Sequence, residues 1–148
     1  MTIYLGADHR GFALKEKLKQ LLMNEAYDVV DLGAQTLVPT DDYPDYALAV
    51  AEAVGKNPDV DRGILICGSG FGVNIAANKL RGIRAVLPMS SDHAYVARHD
   101  DDANILALAA DFTDGATVQK IVKTFLSTPF DREERYLRRV EKISKLES

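Results

Sequence analysis

The chain has 148 residues, the size of one ordinary domain, and its 47% hydrophobic and 27% charged residues are typical of a globular protein with a buried core. The net charge of −4, without a run of lysine and arginine, argues against nucleic acid or an anionic membrane as a partner. A single cysteine, Cys67, excludes an internal disulfide and suits a reducing compartment. Because there is no signal-peptide pattern and no apolar run long enough to span a bilayer, we expect a cytoplasmic protein.

Short apolar segments alternate with longer amphipathic ones along the whole chain. The candidate strands are nearly continuous in Val, Ile, Leu and Ala, as in a parallel sheet buried on both faces. They cover residues 3–6, 28–32, 63–67, 84–87 and 104–109. The candidate helices cover about 12–24, 44–54, 70–80, 91–99, 114–126 and 131–146. This alternation predicts right-handed βαβ crossovers, a doubly wound, five-stranded parallel sheet and a single α/β domain over 1–148.

Helix starts and strand ends refine this prediction. Ser90 or Ser91, and Thr113, are expected to cap the helices that follow them. In open α/β sheets, ligands bind beyond the carboxyl ends of the strands. The first strand ends at Asp8-His9, the third ends at Cys67, and the fourth leads to residues 93–102. We therefore expect these residues to converge on one site.

The strongest functional signal is the segment CGSGFG at residues 67–72. A buried strand stops, three glycines make a tight turn, and a helix begins whose amides can bind a phosphate or the oxyanion of an enediolate. Dinucleotide binding by the same pattern would need an acidic residue about 20 positions later. Around residues 87–89 there is none.

Cys67 in this segment has two interpretations. A buried cysteine is often an inert apolar residue. At a strand end beside a helix start, however, the thiolate form is favoured, and it could remove a carbon-bound proton while the loop amides hold the developing oxyanion. We favour the second interpretation.

Other candidates are less specific. Asp8 could bind sugar hydroxyls or cap a helix, and His9 could contact a ring oxygen or a phosphate or lie on the surface. Tyr43 could stack on or hydrogen-bond a sugar, or belong to an ordinary loop. Arg135 and Arg139, four apart on a basic helix, could grip a phosphate or form a solvated face.

The histidines and aspartates between 93 and 102 also raise the question of a metal site. His93 and His99 are six residues apart and do not share one helical face, and a run of aspartates is usually solvated. We therefore expect no metal.

Six segments form a specific combination, in order, over nearly the full length. They are GADHRGF (6–12), DYPDY (42–46), ICGSGFG (66–72), NK (78–79), GIRA (82–85) and NILA (104–107). With them the chain resembles the type B ribose-5-phosphate isomerase family, which includes the galactose-6-phosphate isomerase subunits. The resemblance implies a Rossmann-like αβα sandwich and an aldose–ketose isomerase that interconverts ribose 5-phosphate and ribulose 5-phosphate. It further implies no cofactor or metal, and a homodimer or homotetramer with sites shared between subunits.

The resemblance also implies residue roles. Cys67 is similar to the family's base, which shuttles a proton between C2 and C1, and Ser69 stands where the family commonly has a threonine that assists this base. Loop 68–72 resembles the anion hole. The substrate-binding residues expected here are Asp8, His9, Tyr43, Gly68, Gly70, Phe71, Gly72, Asp101, Arg135 and Arg139.

Three positions depart from the family pattern. Asp100 and Asp101 replace a His-Asn pair, whose histidine protonates the ring oxygen, and Asp111 replaces a phosphate-binding arginine. Either His99 reaches the site through a shift of one residue, or Asp100 is itself the acid–base group. Carboxylates near a phosphate are unfavourable. Another sugar phosphate, such as allose or galactose 6-phosphate, or a catalytically silent sugar-phosphate binder therefore remains an alternative.

Overall fold

The computed structural model describes residues 1–147, which form five strands and six helices. The strands are Thr2–Ala7 (β1), Asp28–Asp31 (β2), Arg62–Cys67 (β3), Ala85–Val86 (β4) and Ile105–Ala109 (β5). The helices are Phe12–Asn24 (α1), Tyr43–Gly55 (α2), Phe71–Ala77 (α3), Ser91–Asp101 (α4), Gly115–Ser127 (α5) and Glu134–Ser144 (α6).

The strands form one parallel sheet in the order β2-β1-β3-β5-β4. The chain goes from β1 out to β2 and crosses back over β1 to β3. On the other side of β3, β4 takes the edge of the sheet, and β5 then lies between β3 and β4. The direction of winding therefore reverses between β1 and β3, which is where open α/β sheets bind ligands. The predicted five-stranded α/β fold is confirmed.

Strand β3 lies at the centre of the sheet, and all its residues are buried. Ile64 and Ile66 pack with α1, α4 and α5 on one face, whereas Leu65 and Cys67 pack with α2 and α3 on the other. Full burial of one such aliphatic side chain stabilises the fold by about 1.5–3 kcal/mol. The two helical layers make the αβα sandwich and hold the end of β3 in place.

Two elements are shorter than predicted because tertiary hydrogen bonds end them. Helix α3 stops at Ala77, and the Asn78 side chain then donates to the Ala85 carbonyl at 2.9 Å and accepts from the Ala85 amide at 2.8 Å. Strand β4 has two residues rather than four, and the amide of Arg84 just before it donates to the Asn104 side chain at 2.9 Å.

The helix starts partly follow the prediction. Ser90 caps α4 by accepting from the His93 amide at 3.1 Å. The prediction of Thr113 as the cap of α5 is wrong, because Asp114 accepts from the Thr117 amide at 2.9 Å. Helix α6 begins at Glu134 rather than at 131, because the Asp131 side chain holds a preceding turn. Among residues 1–147, no helix is both long and apolar enough to cross a membrane.

Candidate active site

Cys67 is the last residue of β3 and is 4% exposed. Its sulfur accepts a hydrogen bond from the Gly70 amide at 3.1 Å. Gly70 has φ of +76°, a conformation that favours glycine, and a Cβ there would lie 2.6 Å from Leu87. The tight turn thus directs an amide N–H at the sulfur.

Ser69 and Phe71 belong to the same turn, and a hydrogen bond joins them. The Ser69 hydroxyl accepts from the Phe71 amide at 3.4 Å, at the start of α3. The Phe71 ring is 65% exposed and points away from the core. The hydroxyl of Ser69 therefore helps shape the loop that carries the Gly70 amide.

Asp8 follows β1 and is 6% exposed. Its Oδ1 atom accepts from the Arg10 amide at 3.0 Å and from the Gly11 amide at 3.1 Å. The Asp8 amide donates to the carbonyl of Ile66 in β3 at 3.3 Å. These bonds fix the turn after β1 beside the end of β3, so that Asp8 lies close to Cys67.

His9 is oriented by Asp41, a residue that the sequence analysis missed. Asp41 Oδ1 lies 2.8 Å from His9 Nδ1 and accepts the His9 amide at 2.9 Å. Burial alone would raise the pKa of Asp41, but the hydrogen bonds from His9 and Tyr46 outweigh burial and hold this pKa below its ordinary value. An ionised Asp41 assigns the proton to Nδ1 and leaves Nε2 as the ring nitrogen that can accept a hydrogen bond.

These residues surround a cleft at the carboxyl ends of β1 and β3, with a volume of about 320 Å³. This cysteine cleft is lined by Asp8, Arg10, Tyr43, Cys67, Gly68, Ser69, Gly72, Asp111 and Phe112. The Tyr43 ring lies directly against Gly72, where a Cβ would be 2.5 Å from the ring. The volume is within the range of small-molecule sites, about 300–1,000 Å³.

The predicted convergence of residues 93–102 on this cleft is wrong within one chain. Helix α4 starts after β4 and runs back antiparallel to the strands, so its last residues lie at the amino-terminal edge of the sheet. Asp102, just after α4, accordingly accepts from Arg84 ahead of β4 at 2.9 Å. Asp101 lies in a surface groove with Asn74 and Pro88.

His99 instead contacts α6 and the segment before it. Its Nδ1 atom lies 2.7 Å from Asp100 Oδ1, and its Nε2 atom lies 3.5 Å from Asp131 Oδ2. The ring stacks on Tyr95, with centroids 4.9 Å apart, and meets the edge of Tyr136 at 5.7 Å. Both nitrogens of His99 therefore face carboxylates.

Arg135 and Arg139 lie in the same region. Their guanidinium carbons are 4.5 and 5.9 Å from the centroid of the Tyr136 ring. We call the group His99, Asp100, Arg135, Tyr136 and Arg139 the Tyr136 patch. Apart from Asp101, the expected site residues thus fall into two sets within one chain: the cysteine cleft with its loop 68–72 and its neighbour His9, and the Tyr136 patch.

Comparison with known proteins supplies the family. Residues 3–143 match the model of the Ribose/Galactose Isomerase family. The chain belongs to this family.

Individual relatives cover nearly the whole length. The ribose-5-phosphate isomerase B of Escherichia coli strain K12 is 39% identical over 145 residues, which are 98% of this chain and 95% of the relative. The crystal structure of ribose-5-phosphate isomerase B from Mycoplasma genitalium with bound ribulose 5-phosphate has a TM-score of 0.95 at 43% identity, with 99% and 95% of the two chains covered. The type B enzyme of Trypanosoma cruzi has a TM-score of 0.92 at 40% identity, covering 99% of this chain and 95% of the other.

In this member of the Ribose/Galactose Isomerase family, the cysteine cleft provides the groups that proton abstraction next to a carbonyl requires. Cys67 can accept a proton, the glycine loop can hold an oxyanion, and Asp8 can bind hydroxyl groups. Within the described part of the chain, no three His, Cys, Asp or Glu side chains are grouped as a metal ion would need.

Proposed function

We propose that this chain is an aldose–ketose isomerase that interconverts ribose 5-phosphate and ribulose 5-phosphate. The observation that carries the proposal is the Cys67 sulfur, held by the Gly70 amide at 3.1 Å in a cleft beside Asp8. The chain that supports the choice of sugar is the Mycoplasma genitalium isomerase, which is 43% identical and binds ribulose 5-phosphate.

The reaction needs a base, an oxyanion site and a way to return the proton. The Cys67 thiolate removes the proton from C2 of the open-chain aldose, and the electron pair forms a C1–C2 double bond while the C1 oxygen becomes an oxyanion. The amides of loop 68–72 stabilise this charge. Transfer of the hydroxyl proton from O2 to O1 and return of the Cys67 proton to C1 give the ketose.

The two sets of site residues lead us to include a second copy of the chain in the proposal. The cysteine cleft and the Tyr136 patch lie at opposite edges of one sheet, so one chain cannot apply both to one small substrate. Exposed apolar side chains surround the cleft, among them Phe71 at 65% and Phe112 at 73%. In a homodimer or homotetramer, Arg135 and Arg139 of one subunit would bind the phosphate of a substrate held at Cys67 of another.

We take residues 1–148 as one sugar-phosphate isomerase domain and place it in the cytoplasm, where its free cysteine would stay reduced.

A second substrate class has its own support. The matching family spans ribose and galactose isomerases. The resemblance implies that Asp100, Asp101 and Asp111 stand where the family has residues that act on the ring and the phosphate. Allose or galactose 6-phosphate is therefore the alternative substrate, and a silent sugar-phosphate binder is the alternative without catalysis.

One screen separates these functions. Ribose, allose and galactose phosphates are incubated with the protein, and ketose formation is measured with Cys67→Ala as the control. We expect ribulose 5-phosphate from ribose 5-phosphate at the highest kcat/KM. Faster conversion of a hexose phosphate reassigns the substrate, and conversion of none favours the silent binder.

A further inference from the structure

A guanidinium group stands at the mouth of the cysteine cleft. Arg10 forms an ion pair with Asp111, and the two side chains are 60% and 36% exposed. Among the residues that line the cleft in the described chain, Arg10 is the one cation, while Asp8 and Asp111 are carboxylates. Within one chain, Arg10 is therefore the residue of the cleft that can supply the positive charge a phosphorylated ligand needs.

The ion pair is built onto the loop that follows Cys67. A Cβ on Gly68 would lie 2.6 Å from both Arg10 Nε and Asp111 Oδ2, so the pair packs directly against the backbone there. The Asp111 amide donates to the Gly68 carbonyl at 3.0 Å, and the Arg10 amide donates to Asp8 at 3.0 Å. Both partners are thus anchored through the backbone of the site.

The charges of Arg10 and Asp111 explain why this ion pair can favour the binding of a phosphate. A phosphate group carries about −1.5 to −2 charges near pH 7 and is repelled by free carboxylates. Arg10 neutralises Asp111, and a guanidinium has five N–H donors in a planar fork. With some donors on Asp111, the others can bind phosphate oxygens through charge-assisted hydrogen bonds.

We propose that Arg10 binds the phosphate of the substrate and that Asp111 is a positioning residue that holds the guanidinium over Gly68. The identity of the ligand as a sugar phosphate rests on the proposed function. The assignment of Arg10 as the cation of the cleft rests on its own contacts.

Binding measurements in the Cys67→Ala background test this role without turnover. Titration calorimetry with ribose 5-phosphate and with inorganic phosphate should show about tenfold weaker binding of both in Arg10→Ala. The affinities of Arg10→Lys for both ligands should lie between those of Arg10→Ala and those of the protein that keeps Arg10. Lys17→Ala removes one charge from the exposed side of α1 and should leave both affinities within about twofold.

Asp111→Asn distinguishes ligand binding from a purely structural ion pair. This variant removes a repelling charge and keeps an oxygen that can accept from Arg10, so phosphate binding should be unchanged or up to about threefold tighter. Unchanged affinity in Arg10→Ala, or equal weakening in Arg10→Ala and Asp111→Asn, would overturn the role of Arg10. If the binding of inorganic phosphate depends on Arg10 but the protein isomerises no sugar phosphate, the proposed function is overturned and the role of Arg10 is not.

Discussion

Asp41 Oδ1 lies 2.8 Å from His9 Nδ1 and also accepts the His9 backbone N–H at 2.9 Å. The side chain of Asp41 is only 7% exposed, and that of His9 is 35% exposed. One carboxylate therefore fixes both the backbone and the ring of His9 at the edge of the cysteine cleft, and it selects the tautomer that the ring presents.

Asp41→Asn should lower kcat/KM for ribose 5-phosphate by about tenfold, because an amide no longer selects the Nδ1–H tautomer. Steady-state kinetics and a pH profile test this effect. His9→Gln serves as the matched control, and the double variant should be no worse than His9→Gln alone. Additive losses in the double variant would show that Asp41 acts independently of His9.

A second carboxylate gives a prediction about stability. Burial alone would raise the pKa of Asp31, but hydrogen bonds from Lys15, Lys19 and the Gly33 amide outweigh burial and hold this pKa below its ordinary value. Lys15 is fully buried, and its Nζ atom lies 2.6 Å from Asp31 Oδ2. Because the folded pKa is lowered, this stabilisation is present above the unfolded pKa, about 4, and is lost as pH falls through the folded value.

Lys15→Met should therefore destabilise the protein at pH 7 by about 3 kcal/mol, since it leaves a buried carboxylate with one cation fewer. Urea unfolding at several pH values measures the difference, which should shrink below about pH 4 as Asp31 becomes protonated. Lys19→Met, at a side chain that is 17% exposed, should cost less. If the difference in unfolding free energy between Lys15→Met and the wild type stays constant from pH 7 to pH 3, lost packing rather than the lost ion pair explains the destabilisation.

The sequence predicts the central features well and the long-range contacts poorly. The unbroken apolar run before Cys67 predicts a central buried strand, and the glycines after it predict the tight turn. The contact of Asp41 with His9 joins two loops far apart in sequence, and an aspartate ahead of a helix suggests only a cap. The end of α3 at Ala77 likewise depends on the bonds between Asn78 and Ala85.

The position of His99 could have been predicted. A crossover helix runs antiparallel to its strands, so the end of α4 must lie at the opposite edge of the sheet from Cys67. The expectation that a run of aspartates is solvated does not hold for Asp102, which is 14% exposed and pairs with Arg84 at 2.9 Å and Arg98 at 2.8 Å. Only the folded chain brings these arginines to Asp102.

Ring opening can be assigned by comparing two variants. Asp100→Asn should impair turnover of ring-forming ribose 5-phosphate more than turnover of a sugar phosphate that cannot close a ring. His99→Ala should have the smaller selective effect, because both nitrogens of His99 face carboxylates. Coupled assays on the two substrates measure the ratio. Selective loss in His99→Ala alone would assign ring opening to the histidine.

Shared sites predict complementation between two inactive variants. Cys67→Ala and the double variant Arg135→Ala/Arg139→Ala should each be inactive at a low substrate concentration. After they are unfolded together and refolded as a mixture, about a quarter of the wild-type activity should return, since half of the dimers are mixed and each has one intact site. Each variant refolded alone is the control, and sedimentation should show at least a dimer. An active monomer, or a mixture without recovery, would contradict a site that is shared between subunits.

Turnover of ribose 5-phosphate by Cys67→Ser tests the proposed chemistry most directly. Loss of a general base typically lowers the rate by roughly 10²–10⁴-fold, so this variant should keep less than about 1% of the wild-type kcat. Its circular dichroism spectrum and its affinity for ribulose 5-phosphate should match those of the wild type. A folded Cys67→Ser variant that retains more than about 5% of the wild-type kcat would contradict the assignment of Cys67 as the base.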